Sequence, residues 1–109
     1  MASDVERLQS GAHELRELQV LQQHRSGDSP FQRAHWDDVE RLLGAYGTAP
    51  AQRLGLPADA DSETLVEAAV AAVERWQRRA ESPLSSRELK EASRVLVRTG
   101  EGLVARLTA

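Results

Sequence analysis

The sequence predicts an all-α protein, a small bundle of four to five helices joined by short loops. Three observations carry that expectation. Apolar residues recur at spacings of three and four along most of the chain, the period of an amphipathic helix. The core alphabet is 16 Ala, 14 Leu and 9 Val with no Ile, and the aromatics are only Phe31, Trp36, Tyr46 and Trp76; Ala and Leu form helices, whereas a sheet draws on β-branched and aromatic residues. No segment alternates apolar and polar residues for long enough to make a strand.

The elements follow in order. Ser3, with Glu6 three residues later, is a capping-box pattern. Val5, Leu8, Ala12, Leu15, Leu18 and Leu21 then share one face of a helix over 3–25, which Ser26-Gly27-Asp28 stops. Gly11 inside it costs about 1 kcal/mol relative to Ala. Ser29-Pro30-Phe31-Gln32 repeats the start signal, with Pro at the first helical position. It predicts a helix over 30–46 with Phe31, His35, Val39, Leu42, Leu43 and Tyr46 on one face and its end at Gly44 or Gly47. Ala51-Gln52-Arg53-Leu54 predicts one or two turns. Asp59, Asp61 and Glu63 place negative charge at the positive end of the next helix dipole, over 62–81, with a stripe of Leu65, Ala69, Ala72, Val73, Trp76 and Ala80. Pro83 interrupts. Ser85 with Glu88 caps a final helix over 86–107 carrying Leu89, Ala92, Leu96, Leu103 and Leu107, with a kink or break expected at Gly100 and Gly102. A carboxylate in place of Leu65 is expected to unfold the protein, because it would be buried without a partner.

A chain of 109 residues fits one domain, divided here into an N-terminal helix over 1–28, packed or projecting, and a helical body over 29–109. Such a length buries a core without disulfides. There is no cysteine, so no thiolate metal site or thiol nucleophile exists. The net charge is −3. The longest apolar run, residues 68–73, is far too short to span a membrane. The opening MASDVERLQS has no apolar signal core, and the expected location is cytoplasmic. Thirteen Arg against one Lys, no Asn and abundant Ala point to a high-GC genome such as an actinobacterium's.

Candidate chemistry is sparse. His13, His24 and His35 include no pair spaced by four, and a metal site needs three or four converging ligands; no metal and no cofactor are expected. Asp59, Asp61 and Glu63 alternate like the start of a calcium loop, but Thr64 and Val70 stand where that loop needs Gly and Glu. There is no Gly-x-Ser-x-Gly elbow, and Thr99-Gly100-Glu101-Gly102 lacks the lysine of a phosphate loop. The sequence therefore reads as non-enzymatic. Residues 75–98 carry seven basic and three acidic side chains. Arg75, Arg78, Arg79 and Arg94 are the candidate partner-binding residues there, joined by Trp36, which falls off the main apolar line of its helix and would be an exposed anchor. The first helix follows a heptad for about two repeats, a candidate homo-oligomer contact.

Leu54-Gly55-Leu56-Pro57, Asp59-Ala60-Asp61, Glu63, Leu65 and the pair Arg75-Trp76 resemble the opening of a J-domain, over residues 48–98. The resemblance implies an antiparallel pair of helices, 62–81 against 86–98. Where the family carries the His-Pro-Asp that stimulates a heat-shock chaperone ATPase, this chain has Gln77-Arg78-Arg79, so the J-like segment is degenerate and no functional residue carries over. The segments LGLP, RWQRRAESPL and VRTGEGL are similar to helical tails of actinobacterial dynamin-like GTPases. Without a phosphate-binding loop in these residues, that similarity implies no nucleotide hydrolysis here. The function expected is a helical protein–protein interaction or adaptor domain; the alternative is a nucleic-acid-binding domain using the basic 75–98 surface. Because the His-Pro-Asp chemistry is missing, adding the protein to a heat-shock chaperone should leave its ATP turnover unchanged; stimulation in a steady-state phosphate-release assay would refute the degeneracy.

Overall fold

The computed structural model describes the backbone of residues 2–109 and the side chains from Gly11 onward. Among these residues there are helices and no strand. Helix α1 spans Ala2–Arg25. A single 3-10 turn, Arg33–His35, runs into α2, Trp36–Leu42. The short α3 is Pro50–Leu54, and two long helices follow, α4 at Ser62–Glu81 and α5 at Arg87–Thr108. The Cα radius of gyration is 13.9 Å, close to the ~13 Å of a compact chain this long.

Helices α4 and α5 form the frame. They are joined by only the Ser82–Ser86 connection and pack along each other more extensively than any other pair, the antiparallel hairpin expected of two helices with a short link. Asp61 caps α4, its carboxylate accepting from the Thr64 amide at 2.8 Å. Ser86 rather than Ser85 caps α5, accepting from the Leu89 amide at 3.1 Å. Val39, Trp76 and Leu96 lie at the centre of the core, with Phe31, Leu42, Leu43, Ala69, Ala92 and Leu103 around them and Val20 and Leu21 joining from α1.

Four expectations are corrected. The helix foreseen over 30–46 is reduced to the turn 33–35 and α2. The Ser29 hydroxyl accepts from the Phe31 amide at 3.3 Å and meets His24 Nδ1 at 2.8 Å, but Gln32 is extended, so no helix propagates from that start. Gly44, at φ 84°, ends α2 in a Schellman-type turn in which the Ala45 amide donates to the Glu40 carbonyl at 3.0 Å. Tyr46 lies past that end and is exposed. Second, α5 runs unbroken through Gly100 and Gly102. Third, Leu65 is only half-buried, so a carboxylate there keeps much of its hydration; Leu96, with no exposure, is the position that cannot take one.

The fourth correction concerns α1. Ser3, Glu6, Val5 and Leu8 lie outside the described side chains. Beyond them, Leu21 of the anticipated apolar face is buried as expected, but Ala12, Leu15 and Leu18 point outward and are exposed. The face turned to the body is His13, Glu17, Val20, Leu21 and His24. This second stripe also has helical spacing, and its polar members find partners in the body, which removes the penalty of burying them.

Gly100 explains the closeness of the hairpin. A Cβ built there would lie 2.8 Å from Val73 Cγ2, so only a residue without a side chain fits. At Gly102 a Cβ would meet nothing within 4 Å. Gly102→Ala should therefore raise the melting temperature, by the helix-propensity gain of up to about 1 kcal/mol. Gly100→Ala should lower stability by about 1–2 kcal/mol net, and Val73→Ala in the same chain should recover part of the loss. Equal effects at the two glycines in thermal melts would contradict the close approach.

Candidate functional site

The five sequence-nominated residues do not form one surface. Arg75 is engaged by Asp38, with Nη1 donating to Oδ2 at 3.3 Å, and Asp38 also faces Arg41 at 3.6 Å. Trp36 is half-buried and not an exposed anchor. Its indole N–H donates to the Phe31 carbonyl at 3.0 Å, its ring meets His24 edge-on at 4.9 Å, and the Arg33 guanidinium lies 5.0 Å above it. Arg94 and Arg78 are exposed and make no ion pair among the described residues.

Arg78 and Arg79 are brought together, in a groove of about 390 Å³ at the α4–α5 turn. Trp76 forms its floor, with Phe31 5.3 Å and His35 6.1 Å away in edge-on contacts. Leu84, Leu89, Gln32, Ser82 and Ser85 complete the lining, and no acidic side chain among the described residues contributes to it. Arg79 is half-buried and held three ways: its guanidinium lies 5.1 Å over the Trp76 ring, Nη1 donates to the Arg75 carbonyl at 3.4 Å, and Nη2 donates to His35 Nε2 at 2.9 Å. The last bond requires an unprotonated Nε2 on His35. Sequence reasoning did not place His35 here. It set His35 and Tyr46 on one face of a single helix, but the structure turns His35 to Arg79 and Tyr46 to Glu40.

Two further polar clusters went unforeseen, since their members are far apart in sequence. In the first, His24 is buried, with Nδ1 at 2.8 Å from Ser29 Oγ and Nε2 at 2.9 Å from Glu40 Oε1, while the Tyr46 hydroxyl donates to the other Glu40 oxygen. The order serine–imidazole–carboxylate is that of a nucleophilic triad. Here the ring is enclosed and edge-on to Trp36, and the serine oxygen serves the Phe31 amide, so the arrangement clasps the end of α1 to α2. The hydrogen bond from Tyr46, and then that from His24, holds the Glu40 carboxyl below its ordinary value.

The second cluster lines the seam between α1 and α5, an open polar concavity of about 710 Å³. The Thr99 hydroxyl donates to Glu17 Oε2 at 2.6 Å, so His13 Nε2–H donates to Thr99 Oγ1 at 2.9 Å. Arg53 Nη1 stands 3.5 Å from the same Glu17 oxygen and donates to the Leu42 carbonyl at 3.0 Å. Burial lowers the His13 pKa in spite of the Glu17 charge beside it.

No family model matches this chain, and no solved structure matches it. It is similar to the isoniazid-induced protein IniC of Mycobacterium tuberculosis, in strains CDC 1551 and H37Rv, with 34% identity over 107 residues. The match takes in 98% of this chain and 22% of the relative, so the chain spans about a fifth of that protein's length. The name of that protein refers to induction by isoniazid and to no activity. A mycobacterial relative agrees with the actinobacterial origin inferred from composition.

Both clusters make the fold sensitive to acid. An unfolded His13 takes up its proton near 6.5, and the folded one only at lower pH, so stability falls as the pH drops below 6.5 toward the folded value. Glu40, with its folded pKa under 4.5, adds stability that is complete above 4.5 and disappears as the pH falls through the lowered value. Urea midpoints measured across pH should show the decline that begins near 6.5 weakened in His13→Gln and the one below 4.5 retained. An identical profile in the variant would refute the assignment to His13.

Proposed function

We propose that this chain is a non-enzymatic helical interaction module that associates through the outer face of α1. One observation carries the reading. Ala12, Leu15 and Leu18 repeat at helical spacing on a face turned away from the body, with Leu15 56% and Leu18 55% exposed. Exposed apolar side chains in contiguous register mark interaction surfaces, where scattered ones do not. The inner face of the same helix is already engaged through His13, Glu17 and His24, so the outer stripe is not a displaced core face awaiting closure. A second copy of the same helix supplies a matching stripe, the self-complementary contact of a two-fold dimer. The resemblance to helical tails of dynamin-like GTPases supports a helical module without chemistry of its own.

Nucleic acid fits the geometry less well. Asp38 answers Arg75, Arg79 turns inward onto Trp76 and His35, Trp76 is buried and Trp36 half-buried, leaving Arg78 and Arg94 as the free cations among the nominated residues. Two exposed charges give a weak affinity with a shallow salt dependence, since the slope grows with the number of phosphates neutralised. Sedimentation velocity tests the association. The chain should form dimers that dissociate on dilution, and Leu15→Glu with Leu18→Glu should sediment as a monomer of unchanged helicity. A chain that is monomeric at every concentration would overturn the reading.

A further inference from the structure

We infer that the groove at the α4–α5 turn docks an acidic, leucine-bearing peptide segment of a protein partner, a reading that rests on the interaction-module proposal and names the partner's chemistry. Arg79 is a half-buried cation whose partners are an indole ring, an imidazole nitrogen and a carbonyl, none of them a carboxylate. A charge withdrawn from water is compensated well only by an opposite charge with hydrogen bonds. No described carboxylate lies within ion-pair distance of Arg79 or of Arg78. The nearest acid along the helix, Glu81, accepts instead from Gln77 at 3.3 Å. The guanidinium is thus fixed in position before any anion arrives, so little orientational freedom is lost when one binds.

Leu84 is 95% exposed, the most exposed of the large apolar side chains among the described residues, and with Phe31 and Leu89 it borders the same groove as Arg78 and Arg79. A ligand that satisfies both halves has a carboxylate next to an aliphatic side chain. The volume of about 390 Å³ lies in the range of sites that hold a few side chains. Phosphate recognition would explain the arginines and leave Leu84 unused. Single-stranded nucleic acid stacks its bases on open aromatic rings, and Trp76 is 1% exposed.

The test is an NMR titration of the full chain with the peptide acetyl-Glu-Leu-Glu-Glu-Leu-amide. A peptide with Ser for Leu, thymidine pentanucleotide and anionic phospholipid vesicles serve as competing probes. The expected result is saturable shifts at the Leu84 and Ser85 amides and the Trp76 indole N–H. Binding should be about tenfold weaker for Arg78→Glu and severalfold weaker for Leu84→Ser, and weaker at higher salt. Both residues are exposed, so neither variant should lower the melting temperature. Arg79 is left intact because Trp76 packs against it. Equal affinity for the serine peptide, indifference to Arg78→Glu, or tighter binding of the oligonucleotide or the vesicles at the same amides would overturn the inference. Sedimentation separates it from the α1 reading. Self-association without peptide binding sinks the groove alone, and peptide binding by a strictly monomeric chain keeps the groove and sinks the α1 contact.

Discussion

The structure depends on the seating of Trp76. It is the largest fully buried side chain, and Phe31, His35 and Arg79 all gather on it. Phe31 contacts it from the irregular segment before α2, His35 from the 3-10 turn, and Arg79 from one turn further along its own helix. An aromatic ring offers its edge and face to different neighbours, so one side chain sets the position of an apolar contact, an imidazole and a guanidinium at once. The segment 29–35 forfeits its helix in exchange. Its turn is held by Ser29 and by the Trp36 indole bonded to the Phe31 carbonyl, which delivers Phe31 to Trp76.

The same geometry divides the basic concentration of 75–98. On a linear reading Arg75, Arg78 and Arg79 are one patch. Spaced by three and four residues they share one side of α4, and it is their partners that separate them. Arg75 reaches across to Asp38 on α2, Arg79 folds over Trp76, and Arg78 stays in solvent. Net charge counted over a stretch says little about a field when one member is neutralised and another desolvated. What remains is a local site with a defined orientation, a different object from a broad basic face.

Much of the fold was legible in the sequence, and the reasons are local. Helix α4 runs over 62–81 as expected because Asp61 caps it and an apolar stripe sustains it, two signals readable within a few residues. The same is true of the turns at Pro50 and Gly55 that bound α3. The failures share the opposite property. Nothing near Ser29 says that His24 will meet its hydroxyl, and nothing near Gly100 says that Val73 on another helix will leave it no room. For α1, two stripes of helical period compete, and hydrophobicity alone favours the one that the structure exposes. The inner stripe prevails through Thr99, Arg53 and Glu40, residues 16 to 86 positions away from their partners. The candidate groove was half legible: Arg78 and Arg79 were named, whereas His35 and Leu84 entered only once the chain was folded.

The polar seam of α1 has a consequence for how the molecule comes apart. From His13 to Glu17 the helix is held by hydrogen bonds and an ion pair to Thr99 and Arg53, while its leucines already face solvent. Water can replace each of those bonds, and detaching this stretch uncovers little apolar area. Denaturant acts in proportion to newly exposed surface. Lifting of this stretch should therefore proceed at a rate nearly independent of urea, as a fluctuation within the native basin. The anchorage at Val20, Leu21 and His24 yields only with the core itself. Within the described side chains of the first helix, His13 and Glu17 are held by bonds that water can replace, whereas Val20, Leu21 and His24 are held by the core.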